Sequence, residues 1–247
     1  MDYTSPGLVE EIILELEELL KLDENKIDFV LWMDYGNALM NAFKYEKAVE
    51  CYKKSLSLSE SVKVHLNLGM AYKASGKYEK ALKEFTYVLS NNNYADVHYR
   101  IADCYQAMGK MDEAMNSYLN ALQINPSYVE ALYSLAELYR QMGMLEETIN
   151  LMKKIIDDNI ILKQDFIDLT LVHYDLAYLY TKKSLFGDAI KHLEKVAYKN
   201  PEYADVHYKL GKLYKVSGNL SKAMEEFEKA IRINPNYKDA RDEYWDL

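Results

Sequence analysis

The sequence contains little cysteine, glycine or proline, and it has no long apolar run. Its 247 residues include two cysteines, nine glycines and four prolines. Two cysteines are too few for a disulfide framework, and so few turn-forming residues favour helices with short connections over a sheet protein. No apolar run approaches the roughly 20 residues that span a bilayer, so membrane insertion is not expected.

Basic charge is also scarce relative to acidic charge. The net charge is −9, with 49% hydrophobic and 28% charged residues. This composition indicates a packed fold rather than disorder, and the negative charge disfavours nucleic acid as a partner. The first twenty residues carry acid where a signal peptide needs base, so we expect a cytoplasmic protein.

The sequence contains no motif that would predict catalysis. It has no glycine-rich phosphate loop, no GxSxG, no HExxH and no paired CxxC. We therefore expect no enzymatic activity, no cofactor and no bound metal.

A repeating pattern with a period near 34 organises the chain. A small residue recurs at spacings of 33, 33, 34, 41 and 34. An aromatic residue usually follows three positions later, an alanine twelve later and a large apolar residue sixteen later. The small residues are Gly36, Gly69, Ala102, Ala136, Ala177 and Gly211. Glycines lie between the two halves of most units, at Gly76, Gly109, Gly143 and Gly218.

These positions describe a pair of helices joined by a tight turn. Apolar residues at i, i+3, i+4 and i+7 form one helix face, and a small residue lets two helices approach closely. The intervening glycine can end the first helix with a positive φ. Such a hairpin buries its apolar face only when neighbours stack on it.

This order of residues resembles the tetratricopeptide repeat. The resemblance implies an all-α, right-handed superhelical solenoid of antiparallel hairpins, with six repeats at 29–61, 62–94, 95–128, 129–162, 170–203 and 204–237. Residues 1–28 and 238–247 are predicted to be capping helices. At the first cap, the predicted packing stripe is Leu8, Ile12, Leu16 and Leu19. The pattern departs from the family at Phe43 and Ser184, where glycine is usual.

The 41-residue spacing adds seven residues, or two helical turns, before the fifth unit. We predict a helix that begins near Asn159 and runs to about Lys183, with the seven-residue extension at about 163–169. Its apolar residues, including Ile161 and Phe166, would serve either local packing or a second contact with a partner or another copy.

The resemblance also implies that the first helices line a concave groove. Within each first helix, positions 2, 5, 6, 9, 12 and 13 form the stripe opposite the packed one, and we call this stripe the groove face. Tyrosine recurs along it, which suits peptide binding but is also common in the family whatever the ligand. The candidate partner-binding residues are Asn37, Lys63, Asn67, Lys73, Tyr99, Arg100, Tyr133, Arg140, Tyr174, Tyr178, Tyr208, Lys209 and Lys212.

Four histidines share the fourth position of their units. Because each lies in a different repeat, we expect packing residues rather than one metal site. They are His65, His98, His173 and His207.

The predicted function is a non-enzymatic scaffold or adaptor that binds a peptide or helix of another protein. One alternative is a structural protein that assembles with copies of itself. Another is an adaptor for chaperone tails, whose family pattern Asn37, Asn67 and Arg100 match. Met33 and Asp96 occupy the two lysine positions of that pattern, and an acid there would repel a carboxylate.

Overall fold

The computed structural model describes residues 6–22, 28–157 and 168–247, and this part of the chain is helical without any strand. The all-α prediction is therefore confirmed. The helices are α1 (Pro6–Leu22), α2 (Phe29–Asn41), α3 (Tyr45–Leu58), α4 (Val62–Ala74), α5 (Tyr78–Asn91), α6 (Ala95–Ala107), α7 (Met111–Ile124), α8 (Val129–Gln141), α9 (Leu145–Asp157), α10 (Leu169–Lys182), α11 (Phe186–Lys199), α12 (Ala204–Val216), α13 (Leu220–Ile233) and α14 (Lys238–Trp245).

The chain forms two compact units, Met1–Ala131 and Leu132–Leu247. In the first unit, α2 packs on α3, α4 on α5 and α6 on α7. In the second, α10 packs on α11 and α12 on α13. Within each unit the helices therefore pack as consecutive hairpins, as the repeat pattern predicted.

One turn geometry joins the helices of every hairpin. Gly76 has φ of +73°, and the next backbone amide, that of Lys77, donates to the Tyr72 carbonyl at 2.8 Å. This bond closes a Schellman-type helix end, which requires a left-handed residue. Phe43 and Ser184 adopt the same conformation, with φ of +59° and +58°.

The two helices of a hairpin cross at the small residue. A Cβ atom added to Gly69 would lie 2.6 Å from a ring carbon of Phe85. Gly36 meets Tyr52 and Gly211 meets Phe227 at the same distance. The small residue and the large residue sixteen positions later therefore pack against each other, and a side chain larger than glycine would collide in these three hairpins.

The N-terminal helix packs on α2 with a face one position removed from the predicted stripe. Val9 and Ile13 are buried, whereas Leu8 and Leu19 are 37% and 50% exposed. The predicted stripe was therefore wrong at its two ends. The hydroxyl of Tyr35, on α2, also holds α1 by donating to Glu17 at 2.6 Å.

The first helix of the fifth repeat begins later than predicted. Asp168 is extended and caps α10, because its carboxylate accepts the Thr170 amide at 2.8 Å. The prediction of one continuous helix from Asn159 to Lys183 was therefore wrong at Asp168. Ile161 and Phe166, the candidate second contact, lie outside the described residues.

Helix α14 packs on α13. Its Ala240 is buried, whereas its Trp245 is 79% exposed. None of the described helices has the length and apolar character needed to cross a membrane.

Phe43 gives a test of the turn geometry. Its side chain is 77% exposed, so it gains little from packing while its left-handed backbone is strained. We expect Phe43→Gly to raise the free energy of unfolding by roughly 0.5 to 1 kcal/mol, measured by urea denaturation. Phe43→Ala is the control, because it removes the ring but keeps the strained Cβ. An equal gain from both variants would contradict the role of backbone strain.

Candidate functional site

Two predicted binding amides in the first unit are bonded to each other. The Asn67 side-chain amide donates to the side-chain oxygen Oδ1 of Asn37 at 2.9 Å. The Tyr52 hydroxyl donates to the same oxygen at 2.8 Å. Both lone pairs of that oxygen thus accept hydrogen bonds within the protein. The oxygen links two neighbouring hairpins and is not available to a ligand.

The lysines of the first unit differ in their pairing. Lys73 forms an ion pair with Asp103, whose other oxygen accepts the Tyr118 hydroxyl at 2.8 Å. Lys63 is exposed and has no ion pair with any described residue. Lys73 is therefore neutralised inside the protein, whereas Lys63 keeps its charge for solvent or a partner.

Tyr99 and Arg100 are supported by neighbouring side chains. The Tyr99 ring lies 5.3 Å from the Tyr128 ring and 5.7 Å from the Tyr118 ring, measured between centroids. The Nε atom of Arg100 is buried, 3.8 Å from an Asp96 carboxylate oxygen, and has no hydrogen-bond acceptor among the described residues. The guanidinium of Arg100 is thus held by charge attraction, and 30% of its side chain remains exposed.

In the second unit, two carboxylates, those of Glu137 and Asp175, lie near the cation Arg140. Arg140 forms an ion pair with Glu137, and its Nε atom lies 3.1 Å from each Glu137 carboxylate oxygen. Burial and the nearby Glu137 charge raise the pKa of Asp175 to about 6, although Arg140 acts against this shift. Burial, followed by the charges of Asp175 and Glu137, also raises the pKa of Tyr133. Arg140 therefore neutralises Glu137 but leaves Asp175 incompletely compensated.

Tyr174 and Lys209 belong to one polar cluster centred on Asp205. The Tyr174 hydroxyl donates to Asp205 at 2.9 Å, and Lys209 donates to both residues. The Tyr237 hydroxyl reaches the other Asp205 oxygen at 3.3 Å. Burial would raise the pKa of Asp205, but these hydrogen bonds outweigh it and the pKa is lowered. The cluster joins α10 to α12 and fixes the Tyr174 ring.

A pocket of about 440 Å³ lies beside this cluster, in the second unit. Four of its eight lining residues are among the predicted binding residues, namely Tyr174, Tyr178, Lys209 and Lys212. Its apolar wall comes from Ala177, Leu193 and Leu213. Its polar and aromatic rim consists of Tyr174, Tyr178, Thr181, Lys209 and Lys212.

Tyr178, Thr181 and Lys212 are the exposed members of the rim, and the Thr181 hydroxyl already donates to the Ala177 carbonyl. Tyr178 is 52% exposed, with the Lys182 ammonium 5.4 Å from its ring centroid. Lys212 is exposed and lies 5.6 Å from the Tyr208 ring centroid. It forms no ion pair within the described chain. The pocket therefore combines an apolar wall with one unneutralised ammonium group.

The other four residues that line the pocket were not predicted to contact a partner. Ala177 and Leu193, sixteen positions later, were expected only as the packing residues of the repeat, and Thr181 and Leu213 carried no prediction. Asp205 lies four residues before Lys209, a spacing that places the two on one helix face and could have indicated their ion pair.

The cysteines and histidines occupy packing positions. Burial raises the pKa of both Cys51 and Cys104 to about 11, which disfavours the reactive thiolate. His98 bonds to Asn93 at 2.7 Å, and His65 and His207 each lie 2.6 Å from a glutamate. No cluster of three or more potential metal ligands occurs among the described residues.

Family models match most of the repeat region. Models of the tetratricopeptide repeat match residues 29–61 and 204–237, 72–119 and 130–159. A further model, described as TPR repeat, matches residues 102–143. No curated protein sequence matches the chain.

Solved structures share the fold at low sequence identity. A tetratricopeptide repeat protein from Parabacteroides merdae is 20% identical with a TM-score of 0.60, over 98% of this chain and 93% of that one. The C-terminal part of a TPR repeat-containing protein from Cytophaga hutchinsonii is 16% identical with a TM-score of 0.66, over 85% and 83%. A chain of the APC/C hetero-tetramer Cut9–Hcn1 is 14% identical with a TM-score of 0.58, over 99% of this chain and 47% of that one.

The carboxyl group of Asp175 provides a test of the second unit. Because its pKa is raised from 3.8 to about 6, the folded state binds a proton more tightly than the unfolded state does. Folding stability is therefore lost as the pH rises through this range. We expect Asp175→Asn to stabilise the protein by about 1 to 2 kcal/mol at pH 7 but not at pH 3.5.

Urea denaturation at both pH values measures this difference. Asp34→Asn is the matched control, since Asp34 occupies the same repeat position but is exposed. A gain at pH 7 that is equal in the two variants would contradict the desolvation of Asp175.

Proposed function

Because this chain belongs to the tetratricopeptide-repeat family, we propose that it is a non-enzymatic scaffold or adaptor that binds a segment of another protein along the groove face. The family fold is generally a protein-interaction fold, which supports the coarse assignment. The net charge of −9 supports a protein rather than a nucleic acid as the partner. Cytoplasmic residence stays a prediction from composition.

The pocket beside Tyr178 is the observation that carries the proposal. Ligand sites combine apolar walls with a few placed polar groups, and this pocket has both. Its free cation is Lys212, because Lys209 is paired with Asp205. We therefore assign to it an extended or helical segment in which a large apolar side chain lies next to a carboxylate.

The other groove residues have a supporting role in this proposal. Lys73 is neutralised by Asp103, and Arg140 is neutralised by Glu137. Both should therefore attract an acidic ligand less strongly than their positions in the sequence suggested. Lys63 is exposed, and 30% of the Arg100 side chain is exposed. These two residues extend the candidate surface in the first unit.

The chaperone-tail alternative has weaker support. Met33, at a clamp lysine position, is only 7% exposed. Asp96, at the other, lies beside Arg100 and offsets its charge. Self-assembly is tested separately by light scattering, where a monomer of 28.8 kDa at high concentration would remove it.

Selection of peptides on the intact chain tests the proposed function. We expect a randomised displayed library to yield peptides with an acidic residue adjacent to leucine, isoleucine, methionine or phenylalanine. A synthetic selected peptide, followed by fluorescence anisotropy, should bind Lys212→Glu at least about tenfold more weakly, or about 1.4 kcal/mol. Tyr178→Ala should lose a comparable amount if the ring is an anchor.

Lys83→Glu is the matched control, because Lys83 is an exposed lysine on α5 that does not line the pocket. Its affinity should equal that of the unaltered chain. Selected peptides that bind all three variants equally would place the binding surface elsewhere.

A further inference from the structure

The fourth residue of several first helices pairs with the residue nineteen positions later, on the second helix of the same hairpin. His65 lies 2.6 Å from a Glu84 oxygen, and His207 lies 2.6 Å from a Glu226 oxygen. In both hairpins an imidazole therefore meets a carboxylate.

The fifth repeat breaks this rule with a second histidine. His173 Nδ1 lies 2.8 Å from His192 Nδ1. The ring centroids are 5.0 Å apart, so the two nitrogens point at each other along one line. One nitrogen must donate a proton and the other must accept it. This head-on geometry suits a shared proton, whereas chelation of a metal ion would need the lone pairs to converge beside that line.

The charges around the histidine pair disfavour a further proton. From α11, Lys195 opposes protonation and Asp188 favours it. From α9, Lys153 also opposes protonation. Burial is the largest effect: it lowers the pKa of His173, and together with the charges of His173, Lys195 and Lys153 it lowers the pKa of His192 to about 4, against the opposing charge of Asp188. The Tyr180 ring stacks on His192 at 5.5 Å and closes another side of the pair.

The histidine pair is directly connected to the proposed binding pocket. Tyr174 follows His173 on α10, and Leu193 follows His192 on α11. Both residues line the pocket. A change in the packing of α10 on α11 would therefore alter the pocket wall.

We propose that the His173–His192 pair is an acid-sensitive switch: protonation of both rings places two Nδ1–H groups and two positive charges face to face, which loosens the α10–α11 hairpin and weakens partner binding in its pocket. The part of this proposal that concerns binding rests on the proposed function, whereas the loosening of the hairpin does not. In the hairpins with His65–Glu84 and His207–Glu226 the histidine faces a carboxylate, so the like-charge contact of a doubly protonated histidine pair does not arise.

The sign follows from the two histidines being held neutral in the folded state. The unfolded state binds protons near pH 6.5, while the folded pair resists them. Stability of the hairpin is therefore complete above that pH and is lost as the pH falls from about 6.5 toward 4. Asp175, also on α10, acts in the opposite sense, because protonation relieves its desolvated charge.

Hydrogen exchange on the intact chain tests the switch without any ligand. At pH 5.5, amide protection in α10 and α11 should fall about tenfold relative to pH 7.5, after correction for intrinsic exchange rates. The α12–α13 hairpin, which contains His207–Glu226, is the internal control and should not show this loss. The Asp175→Asn background removes the opposing titration.

His192→Glu is the decisive variant, because it recreates the histidine–glutamate pair of the other hairpins. It should abolish the acid-induced loss of protection, and His192→Gln should reduce it by removing one titrating group. An acid response of α10 and α11 that is the same in all three proteins would overturn the proposal.

The anisotropy measurement extends the test to binding. For the selected peptide, affinity should fall at pH 5.5 in the unaltered chain and be retained in His192→Glu. If the hairpin loosens in acid while peptide affinity is equally pH-independent in both proteins, the link between the pair and the pocket is wrong. If no peptide is selected at all, the proposed function fails, but the exchange experiment still decides whether the hairpin responds to acid.

Discussion

The close approach of two helices within each hairpin is the constraint on which the rest of this structure depends. Gly69 lies so near the Phe85 ring that no Cβ atom fits between them, and Gly36 and Gly211 repeat the arrangement. This contact sets the rotation of each first helix about its axis. Once the rotation is set, one stripe must face the second helix and the opposite stripe must face away from it.

The outward stripe is less free to bind than a count of its charges suggests. Lys73, Arg140 and Lys209 each pair with a carboxylate of the chain itself. These pairs tie neighbouring residues or neighbouring hairpins together, and they leave Lys212 as the exposed charged group of the pocket that has no ion pair within the described chain. A binding surface of this kind is defined by the groups that the fold leaves uncompensated, rather than by all the polar groups that it presents.

The inward stripe carries a second layer of variation. The position that holds Glu84 and Glu226 in two hairpins holds His192 in another, and in all three it contacts the histidine nineteen residues earlier. One substitution therefore replaces a histidine–carboxylate pair by a histidine–histidine pair at the same place in the hairpin. Local chemistry can thus differ between repeats while the packing that supports it stays the same.

The sequence alone determined the helical hairpins, their turns and their packing partners. The residue types at Gly69, Gly76 and Phe85 recur at fixed spacings in the other repeats. The spacing of sixteen corresponds to the packing of the small residue on the large one, and the intervening glycine forms the turn. The helix start at Asp168 was missed because the apolar pattern continues through it, while its carboxylate caps the Thr170 amide.

The tertiary structure alone decided which polar groups meet. Asn37 with Asn67, Tyr174 with Lys209 and His173 with His192 join residues that are between 19 and 35 positions apart. Sequence periodicity places each of these side chains on a helix face, but it does not give the distance to the neighbouring helix. Hydrogen bonds and pKa shifts depend on that distance to within a few tenths of an ångström. The ion pairs, and hence the pocket lysine that remains without one in the described chain, could therefore be identified only from the packed helices.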